Sequence, residues 1–172
     1  FPESWSSGQA FPIVLDTLLG TSRPGPLTRD FVHSIALSRT HQPYRLLTAG
    51  FLHGSVIHIL LNMDALRRLP NWLETGLGSP LYLTTYLLAV IAGNLAHSNF
   101  VVDTSLLCLG SSGGICGLYG LLYVCLVRMG NPLAAWKVMR GMGLLFAYGL
   151  VIANISNACH PRTGEQEKVS RV

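Results

Sequence analysis

Charge is what this chain has least of. Asp, Glu, Lys and Arg make up 12% of its 172 residues, where soluble domains carry roughly 25%. That shortage excludes a water-soluble globule, a charged coiled coil and a basic nucleic-acid-binding module, and the 49% of hydrophobic residues excludes intrinsic disorder. Eight acidic residues stand against twelve basic ones. Anionic lipid headgroups account for that excess without an acidic partner. Cysteine is sparse too: Cys108, Cys116, Cys125 and Cys159 lie in or beside apolar stretches without metal-ligand spacing, and read as small buried hydrophobes rather than a disulfide or metal site. There is no internal repeat and no low-complexity tract. The class that remains is an integral membrane protein.

Its charges mark out four long neutral stretches, histidine aside: Leu46–Met63 (18 residues), Thr75–Val102 (28), Thr104–Val127 (24) and Gly141–Pro161 (21). A bilayer-spanning helix needs about 20 mainly apolar residues, so the expectation is an all-α, polytopic membrane helix bundle with about four transmembrane helices. Residues 1–43 form a polar segment without a span, 44–160 the membrane core, and 161–172 a charged tail. The chain opens on Phe1 rather than Met, so the natural N-terminus is expected upstream. Arg67, Arg68, Arg128, Lys137 and Arg140 fall in loops that alternate crossings put on one face, cytosolic by the positive-inside rule. The sequence does not identify an organelle.

Polar residues inside the neutral stretches carry the functional signal. The first contains His53, His58 and Asn62, each costly in hydrocarbon unless partnered or facing a wet cavity. His58 and Asn62 are four apart, about 40° around a helix, and can aim at one locus; His53 is about 140° from His58 and serves something else. Interhelical hydrogen bonding is the bland account of that pair. The third stretch packs five glycines and two serines into Gly110–Gly120. Gly110/Gly114 and Gly113/Gly117 fit the GxxxG spacing of a tight helix crossing, and a hydroxyl in a glycine collar also suits a nucleophile. His160 ends the fourth stretch, as an interfacial residue or as the general base for a serine. His33 and His41 lie in the polar N-terminal segment and receive no chemistry; His97 ends the second span and is expected to snorkel to the interface. Asp64 has helical spacing to Arg67 and Arg68 for an ion pair.

In this order the elements resemble the rhomboid family of intramembrane serine proteases. The resemblance runs from Tyr44-Arg45 through the HxxxxHxxxN array His53, His58, Asn62, then Leu73–Ser79, Gly93-Asn94, the GxSG of Gly110–Gly113, and Ser156–His160, covering about 120 of the 172 residues. It implies a Ser-His dyad in a water-filled cavity, with Ser112 as nucleophile and His160 as the base that returns its proton to the leaving amine. His58, Asn62 and the Ser112 backbone N–H would hold the oxyanion. Gly110 and Gly113 would border the substrate, while Ser111, His53 and Arg45 would be structural. The implied partners are transmembrane protein substrates within the lipid bilayer, with no nucleic acid, no metal and no organic cofactor.

Three departures accompany the resemblance. The family core has six spans, of which this chain shows four, matching the second to the fifth. Pro161–Val172 carries five charges in twelve residues where a last apolar helix is expected, which suggests truncation, alternative splicing or a shifted reading frame. Cys116 stands where the family often has an aromatic ring, and Tyr44 where it has tryptophan. The expectation is descent from an active protease with His160 poorly positioned. The alternatives are a catalytically inactive relative that binds membrane clients and, less favoured, a small channel or carrier.

Overall fold

A computed structural model describes residues 26–101 and 107–144 of the chain. Short elements come first: α1 (Pro26–Phe31), the two-residue strand β1 (His33–Ser34) and α2 (Ile35–Thr40). Next are α3 (Arg45–Thr48), which runs into a 3-10 turn at Ala49–Phe51, and α4 (Val56–Arg67). α5 (Asn71–Leu77) leads into α6 (Ser79–Phe100). Beyond it β2 (Leu107–Cys108) pairs antiparallel with β1, His33 opposite Cys108 and Ser34 opposite Leu107. α7 (Ser112–Arg128) follows, and residues 132–144 form α8. The bundle is helical as expected, with one small β bridge added at its edge.

The first neutral stretch is not one straight rod. α3 with its 3-10 turn and α4 meet at a 91° bend, and only taken together do they have the length and hydropathy of a span. The break has a local cause: Ser55 is an N-cap in extended backbone whose Oγ accepts the His58 N–H at 3.0 Å, so a new helix starts there. His53 precedes that helix, and the 140° reckoned from a continuous rod therefore does not apply to it.

Caps also overrule the charge-delimited boundaries further on. Gly130, at φ 73°, ends α7, with the N–H of Asn131 reaching the Leu126 carbonyl at 2.9 Å. Asn131 then caps α8 by accepting the Ala134 N–H at 3.1 Å, and Pro132 sits at its first position. Lys137 and Arg140 consequently lie on a helix rather than in a loop, Arg140 stacking over the Trp136 ring at 5.0 Å. Residues 141–144, the first of the fourth stretch, belong to a helix already begun at residue 132, and the rest of that stretch lies outside the described residues.

Among the described residues α6 alone is long and apolar enough to cross a bilayer in one piece. Only 11% of its apolar window is buried within the protein. A soluble core helix would hide most of that surface, so its outward Leu81, Leu83, Leu88 and Leu95 call for lipid. The inward side is small: Gly113, Gly114 and Gly117 of α7 lie against Tyr86, Ala89, Val90 and Gly93 of α6. A Cβ at Gly117 would stand 2.2 Å from the Ala89 Cβ, which is the close approach that small-residue spacing permits. Gly110 does not belong to this seam, since α7 begins after it at Ser112. Below the seam Ala65, Leu69, Leu73, Ile115, Leu118 and Leu122 form the apolar core, and the Tyr119 hydroxyl donates to the Ala65 carbonyl at 2.9 Å. Leu73 and Leu118 are wholly buried.

Candidate functional site

Ser112 is the first residue of α7 and is exposed. A helix start leaves backbone N–H groups without intrahelical partners and carries partial positive charge, so a hydroxyl there sits among donors suited to a developing oxyanion. Ser111, one residue earlier, is buried and shares a 3.2 Å hydrogen bond with His53 Nε2. The two serines thus have different surroundings, and of them Ser112 is the accessible one.

Two contacts set the turn before the helix. Gly110 has φ 124°, a conformation that a side chain resists, and its N–H donates to the Ala49 carbonyl at 2.9 Å. The His58 ring lies against it: a Cβ at Gly110 would come within 2.8 Å of His58 Nε2. Gly110 is therefore the space His58 occupies, and Gly113, whose nearest neighbours are the Ala89 carbonyl, Val90 and Gly93, is packed into the α6–α7 seam. For both glycines, read from the sequence as bordering substrate, the contacts are within the protein.

The histidines are closer to one another than the helical-wheel argument foresaw. His53 and His58 pack edge to face with centroids 5.2 Å apart, because the chain bends between them. Asn62 is buried on the same side of α4 as His58, as the i, i+4 spacing requires, and its Nδ2 donates to the His58 carbonyl at 3.0 Å. His160 and Cys159 lie outside the described residues. Among those described, Cys116 is exposed rather than buried, one turn beyond Ser112. No three His, Cys, Asp or Glu among the described residues are grouped to hold a metal ion.

Around the site Arg45 is buried, donating to the Val32 carbonyl at 2.8 Å and to Gln42, with its guanidinium beside the Tyr44 ring. Asn94, buried in α6, donates to the Leu46 carbonyl at 2.8 Å and so fastens α3 to α6. Asp64 pairs with Arg68 at 2.7 Å and with Arg67 at 3.8 Å on the surface, where the carboxylate raises the Arg68 pKa further by its hydrogen bond and charge.

Sequence reasoning missed His33. It is not in a solvated polar segment but fully enclosed, its Nδ1 2.8 Å from Ser38 Oγ and its Nε2 3.0 Å from Ser98 Oγ. Burial first, and then the neighbouring His97, push its pKa down to about 4. His97 does not snorkel: its ring packs edge-on against His33 at 5.5 Å, and its Nδ1 is buried without a hydrogen-bond partner. No local pattern marks His33, because its partner on α6 is 65 residues away.

Comparison with known proteins adds a family assignment. A model of the rhomboid domain matches residues 40–170. RHOMBOID-like protein 7 of Arabidopsis thaliana is 29% identical over 115 residues, covering 67% of this chain and 34% of the relative. Rhomboid protease GluP of Bacillus subtilis is 32% identical over 120 residues, 68% of this chain and 23% of that protein. Rhomboid-like protease 3 of Toxoplasma gondii is 37% identical over 54 residues, 31% and 20% of the two chains. The chain thus matches about a third or less of the length of each of these relatives. No solved structure matches.

Proposed function

Because this chain belongs to the rhomboid family, we propose that it is a multi-pass intramembrane serine endopeptidase that cuts transmembrane segments of other proteins. The observation that carries the reading is the accessible Ser112 at the start of α7, behind a Gly110 turn that the His58 ring overlies. Ser112 Oγ attacks the scissile carbonyl and His160 takes its proton. His160 then protonates the leaving amine, and water repeats the sequence to release the acyl group. The Ser112 N–H, His58 and Asn62 stabilise the oxyanion, one such donor being worth about 2.7–4 kcal/mol. For Asn62 this requires its amide to leave the His58 carbonyl. Water has to reach the serine, and the exposure of the helix start supports that reading.

A serine-directed fluorophosphonate is the direct test. Covalent labelling of the membrane-embedded protein is expected, and it should vanish in both Ser112→Ala and His160→Ala. Label that persists in Ser112→Ala would overturn the nucleophile.

A second reading is an inactive relative that holds membrane clients. It is favoured by the five charges of residues 161–172, which follow His160 without an apolar run. A client that co-purifies uncut, and equally well with Ser112→Ala, would support it over proteolysis.

A further inference from the structure

His33 has no role in the chemistry above, yet its ring joins three elements. Its own strand is β1, Ser38 belongs to α2 and Ser98 to the last turn of α6. Both nitrogens are engaged with hydroxyls, at 2.8 and 3.0 Å, in a fully enclosed setting. A neutral imidazole has one donor and one acceptor, and a hydroxyl serves either, so the arrangement leaves no ring nitrogen unsatisfied. The backbone of the same residue pairs with Cys108 in β2. Two residues beyond Cys108 comes Gly110, bonded to Ala49 and overlain by His58, and two residues beyond that comes Ser112. The residue held between Ser38 and Ser98 is thus also the one paired with the strand that precedes the serine turn.

We propose that His33 is a positioning residue for Ser112: clamped between Ser38 and Ser98, it holds β1, and through the β1–β2 pair it sets the turn from Gly110 to Ser112. The inference rests on the reading of Ser112 as nucleophile. From α6 the His97 ring and Asn94 face His33, from α3 the Arg45 guanidinium, and across the bridge Cys108. Arg39 holds the neighbouring Ser98 carbonyl.

The test combines the rate of fluorophosphonate labelling at Ser112 with amide hydrogen exchange over residues 107–111, both on the full chain in detergent. His33→Phe removes both hydrogen bonds, and His33→Gln keeps an amide that can reach Ser98. Leu73→Ala, in the distant core, serves as the destabilised control. His33→Phe should slow labelling by about tenfold, and exchange at Cys108 and Gly110 should speed up by a similar factor. His33→Gln should recover labelling to within about threefold, while Leu73→Ala below its melting midpoint should change neither reading. Ser98→Ala, a gentler lesion, should slow labelling by about threefold even if His33→Phe does not fold. The proposal is overturned if folded His33→Phe or Ser98→Ala labels and exchanges like the parent, or if Leu73→Ala slows labelling as much as His33→Phe. If the parent takes no label at all, the nucleophile reading falls on its own. The exchange arm then decides about the clamp: faster exchange confined to 107–111 supports it, and unchanged exchange removes it.

Discussion

The start of α7 and its middle are secured differently. At the start, Gly110 is bonded to Ala49 and covered by His58, Ser111 is bonded to His53, and the preceding strand is paired to β1. Around two turns later, Leu118 and Leu122 sit in a cluster of leucines and alanine, where Tyr119 makes one hydrogen bond to Ala65. Directional contacts fix where a hydroxyl stands to within a fraction of an ångström, whereas buried area holds the helices together without specifying any one atom. On the proposed reading of Ser112 as nucleophile, a protein that presents one serine to water needs the first kind of restraint at that serine and can rely on the second elsewhere. Between the two regions runs the glycine seam with α6, on which both depend.

Substitutions can separate these restraints. The largest effect is expected at the seam: Gly117→Leu places side-chain atoms where the Ala89 Cβ already is, and the bundle should fail to fold. A monodisperse, helical Gly117→Leu protein with the parent's melting point would contradict the packing. Next is Leu118→Ala, which removes a wholly buried side chain and should cost about 2–5 kcal/mol. Thermal denaturation in detergent should show that loss, while Ser112 labelling below the midpoint stays near the parental rate. Gly110→Ala should behave in the opposite way. A φ of 124° and the His58 ring both oppose the added methyl, so labelling should fall by about tenfold or more with a melting shift smaller than that of Leu118→Ala. If Gly110→Ala and Leu118→Ala lowered labelling and stability in the same ratio, the division of the helix into two regimes would be lost.

The smallest effect is the response to acid. His33 is depressed to about 4 in the folded protein, below its ordinary value near 6.5. The unfolded chain therefore binds a proton that the folded one refuses, and the His33 contribution is complete above about pH 6.5. It declines as pH falls from about 6.5 to about 4, then levels off once both states are protonated. The decline amounts to about 1 kcal/mol over the first pH unit below 6.5. Melting curves of the parent and His33→Gln between pH 7.5 and 5 check this: the parent should lose more stability across that interval, and parallel curves would refute it.

How far the site could be read beforehand differs residue by residue. The i, i+4 pair His58 and Asn62 was legible because both lie within one helix, where geometry is periodic. For Ser111 and Ser112 the roles come from the resemblance alone, and the structure adds that Ser111 is buried against His53 while Ser112 is exposed. For His53 the helical wheel gives the wrong angle, since it presumes a continuous rod across a 91° bend, although the partner of His53 is Ser111 rather than His58 or Asn62. Lys137 and Arg140 read as loop residues because they lie between two neutral stretches, while Gly130 and Asn131 set the real helix boundary.

By itself the sequence determined the environment and the lineage: too few charges for water, apolar stretches of bilayer length, and a histidine, asparagine, glycine and serine pattern shared with rhomboid proteins. Composition and short-range spacing carry that information, since transfer free energies add residue by residue and helical periodicity extends over a few turns. Only the tertiary structure decided that His33 and His97 meet, that Gly110 makes room for His58, and that Gly117 meets Ala89. Those contacts join residues from 28 to 64 positions apart, a difference read directly from their numbers. Which partner a buried polar group or a glycine finds at such separations depends on how the whole chain packs.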